Sequence, residues 1–184
     1  MKKYELTTES INIGETKFFR IKAIKSFGKA DAGDLGGYIE KEDNLSHDGN
    51  AWVSDNACVS DNARVSGNAW VSGNAWVSGD ACVGGDACVS DNARVSGDAR
   101  VSGDARVGGD ADYTTIKGFG RKYRDTTFFK QKDGTIGVVC GCFYGALDEF
   151  RTKVKETHKD SKFAKEYLMI ADLMEMHFEG SEGE

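Results

Sequence analysis

Residues 49–114 read GNAWVS DNACVS DNARVS GNAWVS GNAWVS GDACVG GDACVS DNARVS GDARVS GDARVG GDADYT, one six-residue phrase said eleven times. Within Ala-x-Val-Ser, the two-residue period of an extended chain puts Ala and Val on one face and x and Ser on the other. The Gly or Asp and the Asn or Asp before each Ala are corner residues, because these types tolerate left-handed backbone. Each hexad is therefore a four-residue strand and a two-residue corner. No hexad buries its Val alone, so stacking of successive turns must do it.

The segments on either side differ in texture. Tyr4 to Ile11 and Lys17 to Ile24 read as two strands joined at the turn Asn12–Gly14. Ile39 and Leu45 stand six residues apart, as two imperfect repeats entering the array, with a slip of two residues near His47–Asp48. Residues 1–48 are expected to form a β cap over the open end of the array. After the array, Thr126 to Gly145 reads as one hairpin around Asp133–Gly134, with Cys140 and Cys142 on one strand face. Two helices follow. Leu147, Phe150 and Val154 form the stripe of the first, and Phe163, Tyr167, Ile170, Met174 and Phe178 that of the second, with Ser161 as its cap. The expected domains are 1–48, 49–114 and 115–184, the last an α+β module.

Charge narrows the partners. The net charge is −6, and residues 49–112 hold four basic against nine acidic side chains. That disfavours nucleic acid as a partner. No apolar run has membrane-spanning length and the N-terminus lacks a signal-peptide core, so a cytoplasmic protein without a membrane partner is expected. Five Cys with no secretory context read as thiols.

The phrase Val-Ser-Gly-Asp-Ala-Arg resembles the hexapeptide repeat of left-handed parallel β-helices. The resemblance implies a mainly β fold with three hexads to an eighteen-residue coil, wound as a triangular prism and commonly assembled as a homotrimer. That period stacks Trp52, Trp70, Cys88 and Arg106 on one face, Cys58, Trp76, Arg94 and Asp112 on the second, and Arg64, Cys82 and Arg100 on the third. Three Trp then stand outward near the N-terminal end and need a cover. A terminal domain, a second subunit, or a ligand or host protein would each supply one. Arg94, Arg100 and Arg106 ring the other end, one per face, as candidate anion contacts or as plain solubilising charge. The basic, Gly-rich stretch Lys117–Arg124 contributes Arg121, Tyr123 and Arg124 as candidate phosphate contacts, and reads otherwise as a linker or first strand.

The C-terminal run Gly141, Cys142, Phe143, Gly145, Leu147 to Phe150 resembles a segment closing hexapeptide-repeat proteins of phages and prophages, with Ala146 where those carry a capping Thr. The resemblance implies a host-cell setting and carries no enzymatic activity. Acyl transfer, the familiar use of the prism, needs a His base and a projecting loop. The array offers neither, and His47 sits only at its entrance. The expectation is thus a non-catalytic protein without metal or cofactor. It sequesters a host protein or an anionic small molecule, such as a nucleotide immune signal. A structural spacer or virion accessory is the alternative.

Overall fold

The computed structural model describes residues 1–179 and falls into two compact units, 1–110 and 111 onward. In the first unit, β1 (Tyr4–Ile13) and β2 (Thr16–Ala23) form the expected hairpin, and β3 (Leu35–Ile39) follows. Ten two-residue strands then recur every six residues. They are β4 (Trp52–Val53), β5 (Cys58–Val59), β6 (Arg64–Val65), β7 (Trp70–Val71), β8 (Trp76–Val77), β9 (Cys82–Val83), β10 (Cys88–Val89), β11 (Arg94–Val95), β12 (Arg100–Val101) and β13 (Arg106–Val107).

These strands stack in parallel as three faces, β3-β5-β8-β11, β4-β7-β10-β13 and β6-β9-β12. The chain is a β-solenoid of about four turns. The outward columns pair as expected, Trp52 with Trp70, Trp70 with Cys88, and Cys88 with Arg106. Ile39 pairs with Val59 and Leu45 with Val65, two residues beyond the eighteen-residue step that joins Val59 to Val77. The two imperfect repeats are thus real rungs, and the slip lies between Leu45 and Val53.

Every Val from Val53 to Val107 and every Ala from Ala51 to Ala105 on this six-residue grid is buried. Burial contributes about 1.5–3 kcal/mol per Val side chain. The backbone is satisfied between turns, as when the Trp52 N–H donates to Ala69 O at 3.0 Å and the Ser54 N–H to Val71 O at 2.8 Å. Only the first residue of each corner pair is left-handed. Gly67 has φ 68° and Asp55 has φ 56°. Asp55 offsets its strain, since its Oδ2 accepts the Gly73 N–H of the turn above at 3.0 Å.

The eleventh hexad departs from the expectation. Asp112 does not stack on Arg94. Residues Asp110–Asp112 form a 3-10 turn, Ala111 is exposed, and the second face ends at β11. Tyr113 replaces Val and is too bulky for the prism core. It opens β14 (Tyr113–Phe119), which pairs antiparallel with β15 (Arg124–Lys130).

The second unit continues with β16 (Ile136–Cys140), β17 (Phe143–Ala146), α1 (Leu147–His158) and α2 (Lys162–Glu179). The sheet order is β14-β15-β16-β17. The expected single hairpin is therefore a four-stranded meander. Gly141, at φ 63°, turns the chain between β16 and β17, so Cys140 is half-buried on a strand and Cys142 exposed in the turn. Leu147, Phe150 and Val154 of α1 and Tyr167, Ile170, Met174 and Phe178 of α2 pack with Phe128 and Val138 of the sheet. Ala146 has no capping oxygen, but Glu149 Oε2 reaches back to accept the Ala146 N–H at 2.9 Å. The Ala164 N–H donates to Ser161 Oγ at 3.4 Å, as a cap should. Among the described residues no helix is long and apolar enough to cross a membrane.

Candidate functional site

The three Trp are covered by their own chain. Trp52 is 2% exposed. Phe27 meets it edge-on at 5.3 Å, Tyr4 lies at 6.5 Å, and Gly36 leaves room for its ring. Trp76 is half-buried under Phe18, 5.5 Å away and T-shaped, and Phe18, Ile11, Tyr38 and Cys58 share that cluster. Trp70 is half-buried with Lys29 Nζ over its ring at 5.6 Å. Trp52 is therefore withdrawn as a ligand contact, because the N-terminal cap occupies its surface. Of the covers the sequence offered, the terminal segment is the one present, through Phe18, Phe27 and Lys29.

The cap also closes the solenoid backbone. The Tyr38, Glu40 and Ser46 N–H groups serve the carbonyls of Ala57, Val59 and Val65 from below, but among the described residues Gly49 and Ala51 have no such backbone rung beneath them. Lys3 Nζ donates to Gly49 O at 3.2 Å and Ala51 O at 2.9 Å. One turn on, the equivalent carbonyls of Gly67 and Ala69 accept from the Asn50 and Trp52 N–H groups. On the third face, Asn44 Nδ2 does the same for Asp61 O at 3.1 Å and Ala63 O at 2.9 Å. Burial lowers the Lys3 ammonium to about 8. It pushes the Cys58 thiol up to about 11 and holds the Tyr4 phenol above its ordinary value.

A groove of about 670 Å³ at this entrance is lined by Lys2, Glu42, Asp43, His47, Arg64 and Cys82, among others. Three of its charged groups, Lys2, Glu42 and His47, are matched to one another. Lys2 and then His47 hydrogen-bond to the Glu42 carboxylate and hold it below its ordinary range. His47 Nδ1 accepts the Lys3 N–H at 3.3 Å and Nε2 donates to Glu42 Oε1 at 2.8 Å. Both ring nitrogens are engaged, which leaves His47 no lone pair directed at a substrate.

The Arg ring is present as stacked, with Arg94, Arg100 and Arg106 on separate faces. Arg94 and Arg100 are exposed. Arg106 is half-buried, its Nη1 donating to Ala105 O at 2.8 Å and Asp86 O at 3.0 Å. That guanidinium is committed to a corner of its own solenoid.

The second unit gathers a different set. A cavity of about 350 Å³ is lined by Arg121, Lys122 and Arg124 from the β14–β15 turn and strand start. Lys153, Thr157 and His158 of α1 face them, and Phe143, Phe150, Val154 and Tyr167 form the apolar walls beside Cys140 and Cys142. Among the described residues no carboxylate lines it. Lys153 pairs with Glu156 at 3.3 Å, outside the lining. Arg124 lies over Gly141, where a Cβ would overlap its guanidinium. Tyr123 is 74% exposed with φ 50° and does not line the cavity. Its place in the turn aims neighbouring Arg121 and Arg124, rather than its own ring, at the site.

Tyr167 anchors the cavity wall. Its hydroxyl donates to Phe119 O at 3.3 Å and lies 3.9 Å from the Cys140 thiol, which itself accepts from Thr126 Oγ1 at 3.1 Å. Burial, helped by the Cys140 thiol, pushes the Tyr167 phenol up to about 12, so it is a neutral donor at ordinary pH. Gly120, at φ 71°, gives the phenol its space. Sequence reading singled out Arg121 and Arg124 but missed the α1 contribution. The signal was there, since Phe150, Val154 and His158 repeat at four-residue steps with Lys153 and Thr157 alongside, one face of a helix. Among the described residues, no three His, Cys, Asp or Glu side chains converge as a metal site.

Comparison with known families agrees with the fold. Residues 57–73, 87–103 and 93–109 match the family model described as YdcK Beta solenoid repeat. No curated protein matches the chain. The stacking of β4 to β13 and these matches together identify the chain as a β-solenoid repeat protein carrying a C-terminal sheet-and-helix module.

Proposed function

We propose that the protein is a non-catalytic binder of an anionic small molecule with an aromatic or apolar body, held in the cavity of the second unit. The observation that carries this reading is the cavity lining, where Arg121, Lys122, Arg124 and Lys153 meet Phe143, Phe150 and Tyr167 with no carboxylate. A cluster of four cations in which, among the described residues, only Lys153 has a carboxylate partner, Glu156, costs free energy unless an anion is present for part of its life. The aromatic walls add dispersion and stacking for a ring. A mononucleotide has this chemistry, and sequestration of a nucleotide signal is its most specific form. The engaged His47 and the shared bonds of the Tyr167 hydroxyl favour binding over catalysis.

The same proposal takes the coils as left-handed, on the hexad with Ala and Val inside, and the chain as a phage or prophage accessory product. It takes the host-cell cytoplasm as the place of action, on the likeness around Gly141–Phe150. A structural spacer is the second reading. It is favoured by the self-satisfied ladder and by the Trp surfaces being used up inside the fold.

Calorimetry of the full chain with AMP, phenyl phosphate, inorganic phosphate and adenosine tests the first reading. AMP and phenyl phosphate should bind more tightly than phosphate or adenosine, and more weakly as salt rises. Arg124→Gln should weaken the binding at least about tenfold, the effect of losing a charge-assisted hydrogen bond. Silence across the four probes, with no retained mass in native mass spectrometry of the purified protein, would overturn it and leave the spacer.

A further inference from the structure

The helix α2 is apolar on two sides. Its inner face packs Ala164, Tyr167, Ile170, Met174 and Phe178 into the core. Its outer face carries Met169, Leu173 and Met176, which are 71%, 51% and 66% exposed. At 100° per residue these three lie within one narrow stripe directly opposite the core. Such a stripe on a helix is a surface waiting for a cover.

The charges around the stripe select that cover. Near its N-terminal end stands Lys165, and near its C-terminal end stands Glu179, both exposed and without an ion pair among the described residues. The acids between them are already matched. Arg151 Nη2 holds Asp172 at 2.9 Å and Glu175 at 2.7 Å. The stripe is thus an apolar middle with one unpaired cation and one unpaired anion at its two ends, fourteen residues or about 21 Å apart.

We propose that this stripe is a homodimer contact in which α2 of two copies pairs antiparallel about a two-fold axis beside Asp172 and Leu173. That arrangement sets Met169 against the partner copy's stripe near Met176, and each Lys165 against a Glu179. A parallel pairing would set Lys165 on Lys165 and Glu179 on Glu179, and is disfavoured by like charge. A two-fold contact counts every residue twice, so a small patch gains from each pair two times over. Met side chains suit such a contact because they adapt to an irregular surface. This contact is independent of the anion cavity.

The test is the solution mass of the full chain by light scattering over a dilution series, with a charge-reversal cycle. The expected result is an even number of copies that dissociates on dilution. Lys165→Glu and Glu179→Lys should each weaken association by roughly tenfold, since each introduces two like-charge contacts. The double variant Lys165→Glu with Glu179→Lys should restore it. Met169→Glu should abolish it, with unchanged circular dichroism reporting an intact fold. A monomer at every concentration, a trimer, or a dimer indifferent to the charge cycle would overturn the proposal.

Discussion

The two units solve the problem of a core in opposite ways. In the solenoid, a residue's role follows from its place in a six-residue count. Val71, Val77 and Val83 are interchangeable in environment, each buried, each stacked on a Val above and below. In the second unit no two core residues share an environment. Phe150 alone meets Phe128, Phe143 and Tyr167, at 6.0, 5.6 and 5.6 Å. Repetition gives the solenoid rigidity and few unique surfaces. Heterogeneity gives the second unit a cavity.

The sharpest break of this contrast is a charge in the Val column. Val77→Asp puts a carboxylate where no partner exists and should cost more than about 4 kcal/mol. Because the column is repetitive, Val71→Asp and Val83→Asp should cost the same within error in urea unfolding. Widely different costs for the three would show that the turns are not equivalent.

Next in size is Phe150→Ala, expected to cost about 3–5 kcal/mol as a large aromatic lost from a packed core. Here position matters. Tyr144, 49% exposed on β17 of the same unit, should tolerate Ala at about 0.5 kcal/mol or less. Phe150→Ala should also open the cavity wall and lower affinity for phenyl phosphate, whereas the Val variants act on the other unit. Amide hydrogen exchange resolves the two cases.

This contrast also decides what was legible beforehand. The hexad declares its columns because period and composition are the same signal, so Trp52 over Trp70 and Arg64 over Cys82 followed from counting. The eleventh hexad was misread because the count continued past the chemistry. Ala111 kept the pattern while Tyr113 did not fit the core. Lys3 and Asn44 were not legible, since nothing in a short polar or basic side chain says that it will stand in for a missing backbone donor. The cavity was half legible. Arg121 and Arg124 announced themselves by composition, but the partners on α1 lie about thirty residues away and depend on how the meander places that helix.

The cap tests whether the solenoid's regularity ends cleanly. Lys3→Met leaves Gly49 O and Ala51 O without donors and should cost about 1–3 kcal/mol. The deficit should depend on pH. Burial lowers Lys3 from 10.5 to about 8, so between pH 8 and 10.5 the unfolded chain binds more protons at this site than the folded one. Stability from Lys3 therefore rises with pH across that window. The Cys58 thiol, raised from 9.0 to about 11, acts in the opposite sense above pH 9, but it is common to wild type and variant and cancels in the difference. The gap between wild type and Lys3→Met should widen from pH 8 to 10.5 by an amount on the order of 1 kcal/mol. A gap that narrows would mean that the buried amine is charged throughout.

The smallest effect distinguishes the corners of the two units. At Asp55 two terms oppose each other. The left-handed backbone at φ 56° costs a residue with a Cβ about 1 kcal/mol, while the bond from the Gly73 N–H to Oδ2 returns a similar amount. Asp55→Gly removes both terms and should be neutral within about 0.5 kcal/mol. Asp55→Ala keeps the strain and loses the bond, and should cost about 1 kcal/mol. That cancellation lets Asp stand in the place Gly takes in other hexads, although a Cβ added at Gly85 would meet the backbone of Gly103 in the next turn. Gly120, at φ 71°, has no such freedom, because any Cβ there would overlap the Tyr167 ring. Gly120→Asp should therefore destabilise the second unit and displace Tyr167 from the cavity wall, which near-ultraviolet circular dichroism would register. Removing a Cβ at Asp55 is thus silent, whereas adding one at Gly120 is damaging.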